Sequence, residues 1–289
     1  VISVVIPTFN TAALTLAACR SVLDASEVIV VDDASTDGTA ELLAREVPDL
    51  RVIRLPSNVR FAGAANAGIA AARGEIVMLL NSDARAEPGA LDAIRSAFSA
   101  DPRLGIAGAQ LINIDGSPQW SGGRLPTLAW LTVLAGGFAR FLPRRRASSN
   151  ANVDWVSGAA MAFRREVWDS IGPLREHYRF YAQDLDFCAR AGDAGWDVRI
   201  VDDARVVHAG GATVREWRGV AQDPAMLWLD LLTWSREHRG RVWAGVARML
   251  MIVAASVRLL LPGESKSAYV MALRQLFVKR EQPARQRVD

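Results

Sequence analysis

An α/β fold built on a mostly parallel sheet is the architecture this sequence predicts, and three observations carry it. Short, continuous apolar runs recur at Ile2–Ile6, Val28–Val31, Val52–Leu55 and Ile76–Leu80. Ala- and Leu-rich segments of helical length lie between them, near residues 12–24, 38–46, 63–73 and 89–99. Each apolar run is followed directly by polar residues. Strands that are apolar on both faces belong to sheets covered by helices on both sides. Ligands of such sheets bind beyond the carboxyl ends of the strands.

The strand ends carry the candidates. Pro7-Thr8-Phe9-Asn10 follows the first run, and Asp32-Asp33 with the turn ASTDGT follows the second. Asn58 and Arg60 follow the third, with Gly63 and Asn66 expected to open the next helix. The fourth ends on Asn81-Ser82-Asp83, a polar triplet at the tip of a buried strand. Residues 104–112 read as a further strand. A connector of about forty residues follows, to about Asn152, and contains LPTLAWLTVLAGGFARFLPRRR. Connectors of this length are functional or mobile more often than not, so a buried helix and a flap facing acceptor or membrane are both open readings. VDWVSGAAMAFRREVWDSIG reads as strand then helix; the stretch from Arg179 reads as a loop, a helix and two short strands ending at His208.

From Asp223 the chain is helical and strongly apolar, with Trp228, Trp234 and Trp243. Arg248 and Arg258 interrupt it, and the longest uncharged run is the nine residues Met249–Val257. A spanning helix needs about twenty apolar residues, so a helix lying in the membrane interface fits better. Packing against the main domain or a second subunit is the alternative.

With 289 residues, 51% of them apolar, the chain holds one large domain or one domain with a sizeable appendage. Its two cysteines, Cys19 and Cys188, lack metal-site spacing and read as reduced thiols of an intracellular protein. The opening VISVVIPTFN already reads as strand and turn, so no signal peptide is expected; a start at Val suggests that a short N-terminus is missing. The net charge is only +3 but is unevenly spread, with Arg144-Arg145-Arg146 and a basic tail from Arg274 to Arg287. These are solvated faces or sites of attraction to anionic lipid. Nucleic acid is not expected as a partner, because no basic stripe interleaved with aromatics occurs in the first two-thirds.

The ordered series VVIPTFN, VIVVDDASTDGT, NVRFAGAANAGIAAARGEIVMLLNSDA, VSGAAMAFRREVWDSIG, FYAQDLDFCARAGDAGW and VVH resembles the inverting family 2 glycosyltransferases of GT-A fold. It is most like the bacterial rhamnosyltransferases of cell-wall and surface polysaccharides, and the likeness covers about residues 1–215. The resemblance implies that Asp33 accepts hydrogen bonds from the uracil or thymine of a donor, with Pro7 and Thr8 against the nucleoside. Gly63 and Asn66 would bring a helix N-terminus to the diphosphate, with Asn10 and Arg60 as lesser contacts. Asp83 would be the carboxylate ligand of Mg2+ or Mn2+ clamped on that diphosphate. Ser82 lies between it and Asn81, which stands where the family usually has Asp; Asn81 can bond the donor or a metal-bound water but adds no charge. His208 would be the second metal ligand, and imidazole suits manganese better than magnesium.

On the acceptor side, Gln183-Asp184 matches the family's Glu-Asp, which makes Asp184 the base that takes a proton from the attacking hydroxyl. Its place at a helix start favours the ionised form. Gln183 would contact acceptor, Asp186 would orient a neighbour or the acceptor, and Trp155 and Gly158 would wall donor from acceptor. The domains expected are a GT-A domain over 1–220, its nucleotide half about 1–112 and its acceptor half about 153–220, and a helical extension over 221–289. That extension would associate with membrane or pair chains into a homodimer. The activity implied is metal-assisted inverting transfer from dTDP-rhamnose or a UDP-sugar to a hydroxyl of a lipid-linked or polysaccharide acceptor. The site of action would be the cytoplasmic face of a bacterial membrane. Two rivals are a catalytically inactive sugar-nucleotide binder, motivated by Asn81 and Gln183, and a sugar nucleotidyltransferase. The latter would want a glycine-rich basic loop after the first strand, and PTFNTAAL offers none.

Overall fold

All seven residues of β1 (Ile2–Thr8) are buried, so this strand needs cover on both faces. It pairs in parallel with β2 (Glu27–Asp32) and β4 (Ile76–Leu80), and β2 pairs in parallel with β3 (Arg51–Arg54). Beyond β4, β9 (Ala160–Arg164) runs antiparallel to both β4 and β6 (Leu104–Ile112). β6 then pairs in parallel with β10 (Asp197–His208), and β5 (Ala84–Ala86) closes the edge antiparallel to β10. The eight strands stand in the order β3-β2-β1-β4-β9-β6-β10-β5. Parallel pairs outnumber antiparallel ones, so the sheet is mixed but mainly parallel, as the sequence predicts. A separate ribbon joins β7 (Gly122–Gly123) to β8 (Trp155–Val156). The structure, a computed structural model, describes residues 1–135, 152–179, 181–210, 224–260 and 266–277.

Alternation along the strands sorts side chains into two cores. Ile2, Val4 and Ile6 of β1 pack with Ala18 and Cys19 of α1 (Ala12–Arg20), Leu43 of α2 (Thr39–Glu46) and Ile94 and Phe98 of α4 (Ala90–Ala100). On the opposite face, Val5 packs with Ala65 and Ile69 of α3 (Arg60–Ala71), Val167 of α6 (Arg165–Ile171) and Phe187 and Cys188 of α7 (Gln183–Asp193). Phe163 and Phe187 meet edge to face with centroids 5.1 Å apart, a contact worth about 1 kcal/mol beyond burial. Gly68 explains why α3 is so poor in bulk: a Cβ there would stand 2.3 Å from Val5 Cγ1 and 2.8 Å from Val31 Cγ2. Burial raises the Cys19 thiol to about 12 and pushes Cys188 up further, so neither thiol ionises at neutral pH.

Two sequence expectations change here. The segment ending at His208 is one twelve-residue strand, not two short ones. Asp202-Asp203 sits within it, in an irregularity where the β6–β10 register shifts between Val201 and Arg205, as in a bulge. Helix α3 begins at Arg60, three residues earlier than expected.

By its internal contacts the chain divides into two units, Val1–Leu125 with Pro143–Gln222, and Pro126–Leu142 with Asp223–Asp289. The described part of 126–142 groups by contacts with the C-terminal helices. Of the long connector, α5 (Leu128–Ala135) is described and is helical; the Arg144-Arg145-Arg146 cluster and the tail beyond Phe277 lie outside the described residues. In the second unit α5, α8 (Pro224–His238), α9 (Arg241–Leu260) and α10 (Lys266–Phe277) pack on one another. The Arg258 guanidinium lies over the Tyr269 ring, 5.0 Å from its centroid, and bonds its hydroxyl. Helix α9 is long and apolar enough to cross a membrane by length and composition alone, yet only 22% of that window is buried.

Candidate active site

The turn after β4 is built by three separate anchors. The Asn81 amide donates to the Ala159 carbonyl (2.9 Å), and the Ala84 amide donates back to the Asn81 carbonyl (3.0 Å). Inside the turn, Thr11 Oγ1 donates to Ser82 Oγ (2.9 Å), and Thr11 belongs to a buried hydroxyl cluster with Thr8 and Thr15. The polar triplet is therefore a rigid platform at the sheet edge. Asp83, at its tip, is buried.

His208 reaches that carboxylate through strand pairing. The β5–β10 register places Ala84 opposite His208, and the Ala209 amide donates to the Asp83 carbonyl (3.0 Å). His208 Nε2 then stands 3.2 Å from Asp83 Oδ1 and 3.4 Å from Asn81 Nδ2. On the other side of the ring, Nδ1 lies 2.6 Å from Gln119 Oε1. A carboxylate oxygen and a ring nitrogen this close are held favourably only by a positive charge between them, either a proton or a cation. Neighbouring ligands of an octahedral ion at about 2.1 Å stand about 3 Å apart, which fits the observed separation. The oxygen and nitrogen donors suit Mn2+ or Mg2+.

Asp83 faces a small cavity with Arg85 and Val207, and a cleft opens on the side of its neighbours Asn81 and Ser82. It is lined by Pro7, Thr8 and Phe9 after β1, Asp33 after β2, Asn58, Arg60, Phe61 and Ala64 at α3, and Asn81 and Ser82 after β4. Arg179, from the segment before α7, also lines it. The floor is thus made by the strand ends on which the sequence placed its candidates. Asp33 is buried and accepts the amides of Val59 (2.7 Å) and Arg60 (2.9 Å). Burial nonetheless holds its carboxyl above the ordinary range, against the pull of those two amides. Asn10 stands behind this wall, its Oδ1 accepting the Thr36 amide (2.8 Å) so that the loop after β2 is fixed.

Asp184 begins α7 and connects to the same platform. Its Oδ2 accepts the Gly158 amide (2.8 Å), and the next residue, Ala159, is the one that holds Asn81. Its Oδ1 accepts the Leu185 amide (2.8 Å). Burial drives the carboxyl pKa up despite both amides, although the side chain keeps part of its surface open. Four non-glycine residues with positive φ occur among the described residues: Asn10 at 51°, Ala34 at 63°, Arg60 at 69° and Ala182 at 67°. All four lie at the strand ends and helix starts that frame this region, where strain is tolerated when surrounding structure enforces it.

Several expected contacts fall elsewhere. Because α3 starts at Arg60, Gly63 and Asn66 are inside the helix and not at its opening. Asn66 clamps the chain at Leu174, with Nδ2 donating to the Leu174 carbonyl (2.9 Å) and Oδ1 accepting its amide (3.0 Å). Nδ2 also donates to Glu176. A Cβ at Gly63 would lie 2.8 Å from Val59 Cγ2, so that glycine lets the chain turn closely into α3. Asp186 is fully buried and ion-paired with Arg190 (2.8 Å) and Arg175 (3.2 Å); it orients neighbours and offers no surface to an acceptor. Gln183 is buried. Trp155 donates from Nε1 to the Arg124 carbonyl (3.2 Å) and meets Trp120 edge to face, with centroids 5.2 Å apart. Gln119, Trp120 and Arg179 were invisible in the sequence reading, since none belongs to a recognisable motif.

A mainly parallel sheet with polar platforms at its strand ends is the frame of the GT-A fold. Residues 3–172 match the glycosyl transferase family 2 profile, and the chain belongs to that family. A relative in Mycobacterium tuberculosis, an N-acetylglucosaminyl-diphospho-decaprenol L-rhamnosyltransferase, is 30% identical over 218 residues, 68% of this chain and 69% of its own. The succinoglycan biosynthesis protein ExoO of Rhizobium meliloti is 34% identical over 143 residues, covering 46% of this chain and 41% of that one. Among solved structures, a mannosyltransferase from Pyrobaculum calidifontis in complex with GDP-Man and Mn2+ superposes with a TM-score of 0.57 at 20% identity. That match covers 95% of this chain and 79% of the other. S. aureus TarS in complex with UDP-GlcNAc gives 0.58 at 16% identity, covering 95% and 80%.

Proposed function

We propose that this glycosyltransferase moves a sugar, with inversion, from a nucleotide-diphosphate donor to a hydroxyl of a lipid-linked or polysaccharide acceptor. Rhamnose from dTDP-rhamnose is favoured over a UDP-sugar, on the likeness to the mycobacterial relative. The same likeness supports an acceptor carried on a polyprenyl diphosphate. The observation that carries the reading is the Asp83–His208 pair, 3.2 Å apart, in the turn whose Asn81 and Ser82 line the strand-end cleft.

The geometry supports the following roles. Pro7, Thr8 and Asp33 would hold the nucleoside, with Asn10, behind the loop, and Arg60 in support. Asn81 and Ser82 would orient the diphosphate end, and Arg179 would add positive charge there. Asp83 and His208 would hold Mn2+ or Mg2+, which, when bound, offsets the charge of the departing diphosphate. Asp184 would accept the proton of the acceptor hydroxyl as that oxygen bonds the anomeric carbon. The carbon–oxygen bond to the diphosphate breaks in the same displacement. Gly158 fixes the carboxylate for this step, and Trp155 with Trp120 offers an aromatic wall to a sugar face.

Peripheral attachment to the inner face of a bacterial membrane belongs to this reading. It is supported by Val242, Val246, Met249, Val253, Val257 and Leu260 of α9, all exposed. They follow helical spacing on the side opposite the buried Ala247, Met251 and Ala255. Helices α9 and α10 carry five basic residues and no acidic one, which suits anionic lipid.

A thermal-shift panel of nucleotide sugars with and without Mn2+ identifies the donor, because stabilisation grows with ligand concentration over Kd. Transfer or hydrolysis of that donor must then disappear in Asp184→Asn while nucleotide still stabilises the fold. Wild-type protein that binds nucleotide but turns over no donor would sink the enzyme reading in favour of an inactive binder.

A further inference from the structure

We infer that Gln119 is a positioning residue that keeps a proton on His208 Nδ1 and so presents Nε2 to Asp83 as the nitrogen that would take a cation. This rests on the metal-assisted reading above. The inference comes from a chain of hydrogen bonds that orients the Gln119 amide against the ring.

The chain starts at Asp115, at the tip of the hairpin after β6. Ser117 Oγ donates to Asp115 Oδ1 (2.6 Å), and this bond holds the Asp115 carboxyl below its usual range, ionised and able only to accept. With its proton so committed, Ser117 Oγ accepts from Asn113 Nδ2 (2.9 Å). Asn113 therefore turns Oδ1 toward Gln119, whose Nε2 donates to it (2.9 Å) and, more distantly, to the His208 carbonyl (3.5 Å). The Gln119 amide is thereby oriented with Oε1 facing His208 Nδ1 at 2.6 Å. An amide oxygen only accepts, so Nδ1 carries the proton. Nε2 is then the nitrogen turned to Asp83 Oδ1, 3.2 Å away, with a proton or a cation between them. Without this relay the ring could place its proton on Nε2, bonded to Asp83, and the lone pair would point away from the carboxylate. Partners that fix a ligating imidazole in this way tune metal affinity by about 10- to 100-fold.

The test reads the ring before any metal is added. Nitrogen NMR of the metal-free protein reports whether Nδ1 carries a proton; with three histidines in the chain, a His208→Gln variant assigns the signal. Wild type is expected as the Nδ1–H form, with Gln119→Leu shifted toward Nε2–H. Manganese affinity, followed by electron paramagnetic resonance, falls about 10- to 100-fold in Gln119→Leu. Gln119→Glu, which still accepts from Nδ1–H, restores tautomer and affinity together. If Gln119→Leu fails to fold, Asn113→Leu frees the Gln119 amide to turn and is read by the same spectra. A Gln119→Leu protein that keeps the Nδ1–H form and full manganese affinity overturns the inference. If the tautomer shifts as expected but wild type binds no manganese, the metal-assisted reading fails while control of the ring by Gln119 stands.

Discussion

Asp83 Oδ1 and His208 Nε2 stand 3.2 Å apart because the three-residue strand β5 pairs with the end of β10, setting Ala84 opposite His208. Two groups remote along the chain are brought together by backbone register, not by a flexible loop. Removal of either donor therefore leaves the other in place and incomplete. Asp83→Asn and His208→Gln are each expected to lose Mn2+-dependent turnover by about 10²- to 10³-fold, since charge stabilisation by a bound cation is worth several kcal/mol. Equal loss of nucleotide-stabilised melting in the metal-free protein would show that these residues support the fold, and the metal role would fall.

Asp184 carries the second prediction. Burial raises its carboxyl above the ordinary value of about 3.9, and the base is active only when ionised. The acid limb of kcat/KM should therefore lie above that of an ordinary aspartate, with activity lost as pH falls through the raised pKa. The stability consequence has the opposite sign. Below the ordinary value the carboxyl is neutral in both folded and unfolded chains and costs nothing through charge, whereas above the raised value its ionised form opposes folding in full. Asp184→Asn should remove the acid limb along with about 10²- to 10⁴-fold of the transfer rate. An unchanged pH profile in that variant assigns the base elsewhere.

Much of this site was legible because its chemistry lies where an α/β sheet must put it. Pro7, Thr8, Asp33, Asn81 and Ser82 follow apolar runs directly, and all of them line one cleft. What escaped depends on three-dimensional detail. The start of α3 is hidden because Arg60 takes a left-handed φ of 69°, a conformation an arginine does not advertise, and this displaced Gly63 and Asn66 from the helix opening. In sequence Asp186 could orient a neighbour or the acceptor; only the fold reveals Arg175 and Arg190 on either side of it. Gln119 reaches His208 across a hairpin after β6, and no spacing rule links the two.

Gly68 offers a test of the core beneath the site. Helix α3 lies so close to β1 and β2 that a methyl group at this position would meet Val5 Cγ1 at 2.3 Å. Both valines are buried and β-branched, with little freedom to turn aside. Gly68→Ala gains helix propensity of about 1 kcal/mol but forces the helix off the sheet, an overpacking cost of about 1–3 kcal/mol. Thermal or denaturant unfolding should show net destabilisation, with weaker nucleotide binding because Arg60 and Ala64 of the same helix line the cleft. A more stable Gly68→Ala protein would mean that α3 is not seated as closely as described.

The apolar stripe of α9 makes the final prediction. Val242 is 84% exposed and Leu260 85%, and Val246, Met249, Val253 and Val257 continue the same line between them. A soluble surface helix would present polar residues there. Each side chain that enters the acyl boundary is worth a few kcal/mol at most, and each basic residue near an anionic surface about 1 kcal/mol, so several must act together. Cosedimentation with vesicles containing phosphatidylglycerol should show binding that weakens as salt rises, because the Debye length shortens to about 3 Å at 1 M. The pair Val246→Asp with Val253→Asp should abolish it. Because both positions are exposed, the melting temperature should stay within about 2 °C of wild type. Vesicle binding that survives the double substitution removes this face as the membrane contact. Loss of binding to neutral and anionic vesicles alike in the wild type, together with a concentration-dependent dimer, transfers the stripe to a subunit interface.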